Sequence, residues 1–197
     1  MANKINELKL AVGAGARKNK YRINFAVPAA VPAPAGLDSR TLDILAKATK
    51  LPDKTIKVIS LYNQGRKLNI PGDTDYQGDT GIDVTFYLPE DYAPRQLFLN
   101  WLKACDNFQQ NVHTGNPAAL MVDMSIEQLD SVEKSTVKTT LHNAFPYKVA
   151  GIELSDEAAE GVSEVTVSIA FSDFVTGDGE NDEPLTYNQA TKNDTAL

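Results

Sequence analysis

Between Arg66 and Phe108 the sequence RKLNIPGDTDYQGDTGIDVTFYLPEDYAPRQLFLNWLKACDNF changes its apolar period once, and that change dictates a local architecture. Ile82, Val84, Phe86 and Leu88 fall on one side of an extended chain, with Asp83, Thr85 and Tyr87 on the other, which is the period-two pattern of a strand with one dry and one wet face. Pro89 ends that strand. Asp91 is placed to cap a helix, Pro94 is tolerated in a first turn, and Leu97, Phe98, Trp101, Leu102 and Cys105 then recur at three- and four-residue spacing. The segment predicts a strand at 66–70, a sharp turn, a second strand, and a helix over 92–106 lying by its apolar stripe on a sheet.

The 197 residues suffice for one domain with a sizeable core. No apolar run approaches the ~20 residues of a membrane span, and MANKINELKL lacks the long apolar stretch of a secretory signal, so the expectation is synthesis inside the cell and no membrane partner. The single cysteine, Cys105, excludes an internal disulfide and reads as an inert thiol on the helix stripe. His113 and His142, in a polar loop and on the wet face of a strand, have no second His or Cys at metal-ligand spacing.

Charge narrows the partners. The net charge is −7, and most of it sits in 176–197, where Asp178, Glu180, Asp182, Glu183 and Asp194 stand against Lys192. A protein that grips nucleic acid through phosphates needs a basic face, and this balance argues against one. Any DNA that meets this chain passes without specific binding.

The remaining patterns are mostly extended. A short helix is expected at 3–12, then a strand at 20–27 with Tyr21, Ile23, Phe25 and Val27 alternating, then an exposed Ala/Pro segment over 28–36. KTIKVISLY (54–62) and the 66–70 strand are separated by Asn63, Gln64 and Gly65, so a β-hairpin is expected at about 53–72, with Asn63, Gln64, Gly65 and Arg66 at its tip. AALMVDMSI (118–126) reads as a strand covered on both faces. Val137, Thr139 and Leu141 mark another, AFPYK a turn, and VAGIEL renewed extended structure. In the last strand Val165, Val167, Ile169 and Phe171 face in, while Glu164, Thr166, Ser168, Ala170 and Ser172 face out. The domain is therefore expected to span 1–175, followed by a flexible acidic tail over 176–197.

No catalytic constellation emerges. DTDYQGD (73–79) puts Asp73, Asp75 and Gly78 at offsets suggestive of a calcium loop, but the twelfth position is Val84 where a bidentate Glu is required. Glu90 with Asp91, and Asp156 with Glu157, sit beside turns as caps or solvated ends. Phosphate-binding loops, dinucleotide fingerprints, nucleophile elbows and metalloprotease motifs have no match. The expectation is no enzyme, no cofactor and no metal.

Taken in order, the basic-Lys-apolar-Asn run at 66–70, the Gly-Asp turn, the alternating strand, the acidic turn and the Arg-Gln helix with its central Trp101 resemble the tail tube protein of contractile-tailed, T-even-type bacteriophages. STVKTTLHNAFPYKVAGIELSD (135–156) and VSEVTVSIAFSDFV (162–175) are similar to that family's closing strands in order and spacing. The Ala/Pro segment 27–36 and the acidic tail depart from its pattern. By the resemblance, 37–50 is read as a strand, although Leu42, Leu45 and Ala46 also suit a helix.

The resemblance implies an α+β, mainly β fold: an antiparallel or mixed barrel or sandwich with one packed helix and a long inter-ring hairpin. It implies a virion protein, assembled in the host cytoplasm, whose hexameric rings stack into the inner tube of a contractile tail and conduct DNA into the host. Its implied partners are further copies of itself, the tail sheath, the tape-measure protein, and baseplate and tail-terminator proteins. From the residues alone, strand edges in 54–70 and 162–175 with few blunting prolines or charges invite pairing with identical neighbours, and the polar faces would then line a pore. A plain hairpin within a barrel remains the simplest physical reading of 53–72. Alternatives are a tube-like baseplate or initiator protein, a secretion-system tube protein, and a monomeric ligand-binding barrel.

Overall fold

A computed structural model of the chain describes residues 4–5, 15–76, 80–107, 112–113, 117–152 and 161–178. In chain order the elements are β1 (Tyr21–Phe25), α1 (Ser39–Leu45), β2 (Ala46–Thr49), β3 (Thr55–Asn63), β4 (Arg66–Asp75), β5 (Ile82–Tyr87), α2 (Ala93–Cys105), β6 (Asp106–Asn107), β7 (Val112–His113), a 3-10 turn (Pro117–Leu120), β8 (Val122–Leu129), β9 (Ser135–Val149), β10 (Glu164–Ala170) and β11 (Asp173–Asp178). The fold is mainly β, as expected. A seven-stranded sheet runs β1-β8-β9-β10-β5-β2 with β11 paired to β9, and β3 with β4, and β6 with β7, form separate two-stranded ribbons. Its path is open, sandwich-like rather than a closed barrel, with β1 and β2 at its two ends.

Two compact units divide the chain. The larger holds residues 23–125 and 140–175, and its core is the meeting of α2 with the dry face of the sheet. Ile82, Val84, Phe86 and Leu88 are buried, as are Val165, Val167, Ile169 and Phe171, each set alternating as the period-two pattern requires. β10 and β5 pair antiparallel in the register Val165↔Phe86 and Val167↔Val84, which puts the two apolar sets side by side. From the helix, Leu97, Phe98 and Trp101 are fully buried, while Leu102 and Cys105 are only partly covered. The Trp101 indole N–H donates to the Leu120 carbonyl at 2.9 Å, so its one polar group is satisfied inside the core. In the smaller unit Asp130 organises the β8–β9 turn, its carboxylate accepting from the Val132 and Lys134 amides, and Lys20 pairs with Glu133 at 2.9 Å.

Several sequence expectations are corrected. Segment 37–50 is not one strand: Asp38 accepts from the Thr41 amide at 2.8 Å and from its hydroxyl at 2.6 Å, capping α1, and Leu42 goes into the core before β2 begins. The Thr41 bonds hold the Asp38 carboxyl below its ordinary value, so this cap is intact at neutral pH and is lost as pH falls through that lowered range. The cap of α2 is Tyr92, in the left-handed region at φ 53°, and Asp91 covers the Ala93 amide from outside at 3.1 Å. The strand expected at 118–126 begins only at Val122, because Pro117–Leu120 closes a 3-10 turn that presents the Leu120 carbonyl to Trp101.

AFPYK makes no turn; β9 runs through it. Asn143 absorbs the irregularity at φ 54°, and Pro146, which has no N–H to give, sits where the β9–β10 register shifts between Ser168 and Ile169. β10 is an interior strand, paired by β9 and β5, so it offers no free edge as expected of 162–175. Its outward Ser168 and Ala170 are buried rather than wet. Extended structure also passes Val175, since β11 reaches Asp178. Of the helix expected at 3–12, only Lys4 and Ile5 are described, both helical; the acidic tail beyond Asp178, Gly78, and Glu153 and Leu154 of VAGIEL lie outside the described residues.

Two substitutions test this packing. Trp101→Ala removes a buried ring and leaves the Leu120 carbonyl unpaired, at a cost of about 3–5 kcal/mol in chemical denaturation; an unchanged unfolding midpoint contradicts the docking of α2. Gly81 has φ +69° and lies where a Cβ would come 2.3 Å from the Ile169 carbonyl oxygen, a backbone atom that cannot step aside. Gly81→Ala is expected to cost about 3 kcal/mol or more in the same assay, and a loss below about 1 kcal/mol contradicts the close β5–β10 approach.

Candidate functional site

The β3–β4 hairpin is the feature that the fold leaves unexplained. Its strands pair antiparallel from Thr55↔Asp75 to Asn63↔Arg66. At roughly 3.3 Å per residue, the arm is about 30 Å long. The connection is Gln64-Gly65 with φ 48° and 77°, both positive, which is the primed turn whose twist matches antiparallel strands. Glycine supplies the second of those angles without steric cost. Asn63, Gln64, Gly65 and Arg66 thus form an exposed tip.

The register sorts the arm into two faces. Ile59 pairs with Ile70 and Leu61 with Leu68, making one side a run of four aliphatic residues; Ser60 pairs with Asn69 and Tyr62 with Lys67 on the other. Ser60 Oγ donates to Asn69 Oδ1 of the side-chain amide at 3.0 Å, which locks the polar side. Yet the aliphatic side covers little within the chain: Leu68 is 60% exposed and Leu61 48%. Val58, at 64%, and Tyr62, at 73%, add apolar surface on the opposite side. Isolated exposed apolar residues are ordinary, but a contiguous strip along a projecting ribbon marks a contact surface.

The base of the arm is fastened by aromatic rings. Lys54 Nζ lies 5.0 Å from the Tyr76 ring centre, Tyr76 meets Phe174 edge-on at 5.7 Å and 85°, and Phe174 meets Phe171 edge-on at 6.2 Å. Near the base Gly72 lets Ile59 lie across the β4 backbone, since a Cβ there would come 2.9 Å from Ile59 Cγ1. Sequence reasoning missed Tyr76 and Phe174 as a pair, because no periodicity links residues so far apart. Pro71, which has no N–H to give, is accommodated at the register shift between Ile56 and Val58.

A second surface is the polar face of β5 and β10. Ser168 donates to Asp83 at 2.6 Å, Thr85 and Thr166 share a hydrogen bond at 3.1 Å, and Lys47 pairs with Glu164 while lying 5.4 Å from the Tyr87 ring centre. The Glu164 bond raises the Lys47 ammonium above its ordinary value. On these two strands Asp83 is thus engaged by a hydroxyl, and Glu164 by the Lys47 ammonium. Cys105 is a thiol whose pKa burial pushes up, so at neutral pH it is protonated and a poor nucleophile.

The phage tail tube protein family matches residues 16–177 of this chain. The tail tube protein of Serratia phage KSP90 is 23% identical over 175 residues, covering 87% of this chain and 96% of the phage protein. Among solved structures, the sheath/tube terminator of the extracellular contractile injection system PVC superposes with a TM-score of 0.57 at 12% identity, over 82% of this chain and 95% of that one. The tube-terminating cap of the anti-feeding prophage superposes at 0.56 and 11% identity, over 83% and 91%. At such identities these structures speak for the fold alone, whereas the match to the family spans most of the sequence. The chain belongs to the phage tail tube protein family.

Proposed function

We propose that this chain builds the inner tube of a contractile tail from stacked hexameric rings, with the β3–β4 hairpin carrying the contact from ring to ring. The observation that carries the reading is the arm itself: about 30 Å of paired strand whose aliphatic side is left in water by its own chain. Burying a single Leu is worth about 1.5–3 kcal/mol, and a ring repeats the gain in every subunit. A structure described as the PVC sheath-tube complex in its extended state superposes at 0.55, and one described as the six-fold symmetrised anti-feeding prophage baseplate does likewise, which supports a symmetric assembly. The relative named as a tail tube protein favours the main tube over a baseplate or initiator paralogue.

The polar face of β5 and β10 suits a lumen. On β5 and β10 the hydroxyls and charges are engaged within the face, Ser168 with Asp83, Thr85 with Thr166 and Lys47 with Glu164, so these two strands offer a passing phosphate backbone few donors to hold it. In this account the tube sits within a sheath, encloses a tape-measure protein, is bounded by baseplate and terminator proteins, is assembled in the host cytoplasm, and later conducts DNA.

Replacing Asn63–Arg66 by Gly-Gly is expected to leave folded monomers or rings and to abolish long tubes in negative-stain micrographs; tubes of ordinary length contradict the role of the arm. The acidic segment beyond Asp178 would repel itself if crowded in a pore and is placed outside the tube. Truncation after Asp178 retains β11 and should yield tubes of unchanged diameter, while a failure to form tubes would make that segment an interface arm.

A further inference from the structure

We infer that the hairpin of one copy docks on an acidic, aromatic patch made by Tyr87, Glu90, Asp91, Tyr92 and Val162 of the next copy, so that the chain stacks head to tail through opposite charges. The inference rests on the stacking role proposed for the hairpin and names the surface that receives it.

Charge is the first argument. The arm and the residue before it hold Lys54, Lys57, Arg66 and Lys67 against Asp73 and Asp75, both carboxylates lying at the root, on a chain whose net charge is −7. The arm is thus a basic projection from an acidic protein. Lys54 is engaged with Tyr76, but Lys57, Arg66 and Lys67 are exposed and have no ion-pair partner among the described residues. Such an arm fits an acidic acceptor, and one copy's body is the acceptor always present at the concentration of the arm itself.

Position is the second. β2 runs antiparallel to β5 and ends with Thr49 opposite Val84, which delivers the chain to the N-terminal end of β5 just before β3 begins. At that same end Ile169 faces Ile82, and the rings of Phe171 and Phe174 lead to Tyr76 at the foot of β4. The patch lies at the other end of β5. There Tyr87 pairs with Glu164, the Leu88 amide donates to the Ser163 carbonyl at 2.9 Å and so brings in Val162, and Glu90, Asp91 and Tyr92 follow in the turn that opens α2. An arm rooted at one end of a strand and an acceptor at its opposite end make a heterologous contact, which repeats along an axis instead of closing into a dimer.

The chemistry of the patch completes the fit. Tyr87, Tyr92 and Val162 are all exposed, the last at 64%. Lys47 already neutralises Glu164, and Asp91 is partly spent on the Ala93 amide, so Glu90, with no ion-pair partner among the described residues, is the carboxylate left for an incoming cation. Apolar side chains at the middle of such a contact supply affinity, and rim charges set register and exclude wrong orientations.

The test reverses one charge at a time on the full chain and measures tube yield by pelleting and negative stain, with melting temperature as the control for folding. Glu90→Lys and Arg66→Glu are each expected to raise the protein concentration needed for tubes by about tenfold or more, to leave melting unchanged, and to be rescued when combined in one chain. Glu90→Gln should fall between wild type and Glu90→Lys. Loss of tubes with Arg66→Glu but not with Glu90→Lys means that the arm docks elsewhere, overturning this inference while sparing the stacking role of the hairpin. If neither reversal matters, the charge-guided docking is overturned, and the replacement of Asn63–Arg66 decides the stacking role separately. Should both reversals weaken assembly without rescue in the combined variant, the charges do not face one another and the inference is likewise overturned.

Discussion

Phe98 is the residue on which the rest of the larger unit depends. Its ring packs 5.3 Å from Phe86 on β5 and 6.1 Å from Phe25 on β1, and it stacks on Trp101 at 6.4 Å with the planes only 7° apart. A single turn of α2 therefore ties together strands that are distant in sequence and separated in sheet order. Because Leu97, Phe98 and Trp101 are fully buried, the helix has one allowed rotation, and its first turn is carried with it. The turn leading into it is where Glu90, Asp91 and Tyr92 are displayed.

The same rigidity explains why the hairpin can remain unsatisfied in the single chain. A two-stranded ribbon alone in water is marginal, so this one borrows stability from its root, where Lys54, Tyr76, Phe174 and Phe171 form a continuous set of ring contacts. The apolar strip beyond that root is a cost borne by the monomer and recovered on assembly. A structural tail protein, which is not an enzyme, has its function in surfaces of this kind rather than in a cleft.

Much of this was legible in the sequence where the periodicity was strong. The alternation in 82–88 and 165–171 and the helical stripe at 97, 98 and 101 each had a single physical reading, and Asn63-Gln64-Gly65 marked the hairpin tip. Short-range capping was harder: Asp38 turned 39–45 into a helix although its apolar content alone was ambiguous, and the Pro in AFPYK suggested a turn because the bulge that tolerates Pro146 is a property of two strands, not of one. The root of the arm and the patch at the far end of β5 could not be read at all from local pattern. Both arise from tertiary contacts, a ring contact that sets Tyr76 beside Phe174 and a backbone hydrogen bond that joins Leu88 to Ser163 across long stretches of chain.

The central claim is that the arm left exposed by one chain is covered by another along the tube axis. A cryo-electron microscopy map of the purified, assembled wild-type protein tests it most directly. The account predicts hollow tubes of stacked rings in which residues 55–75 lie buried between successive rings. Monodisperse particles that never assemble, or tubes whose hairpins point into solvent, would contradict it.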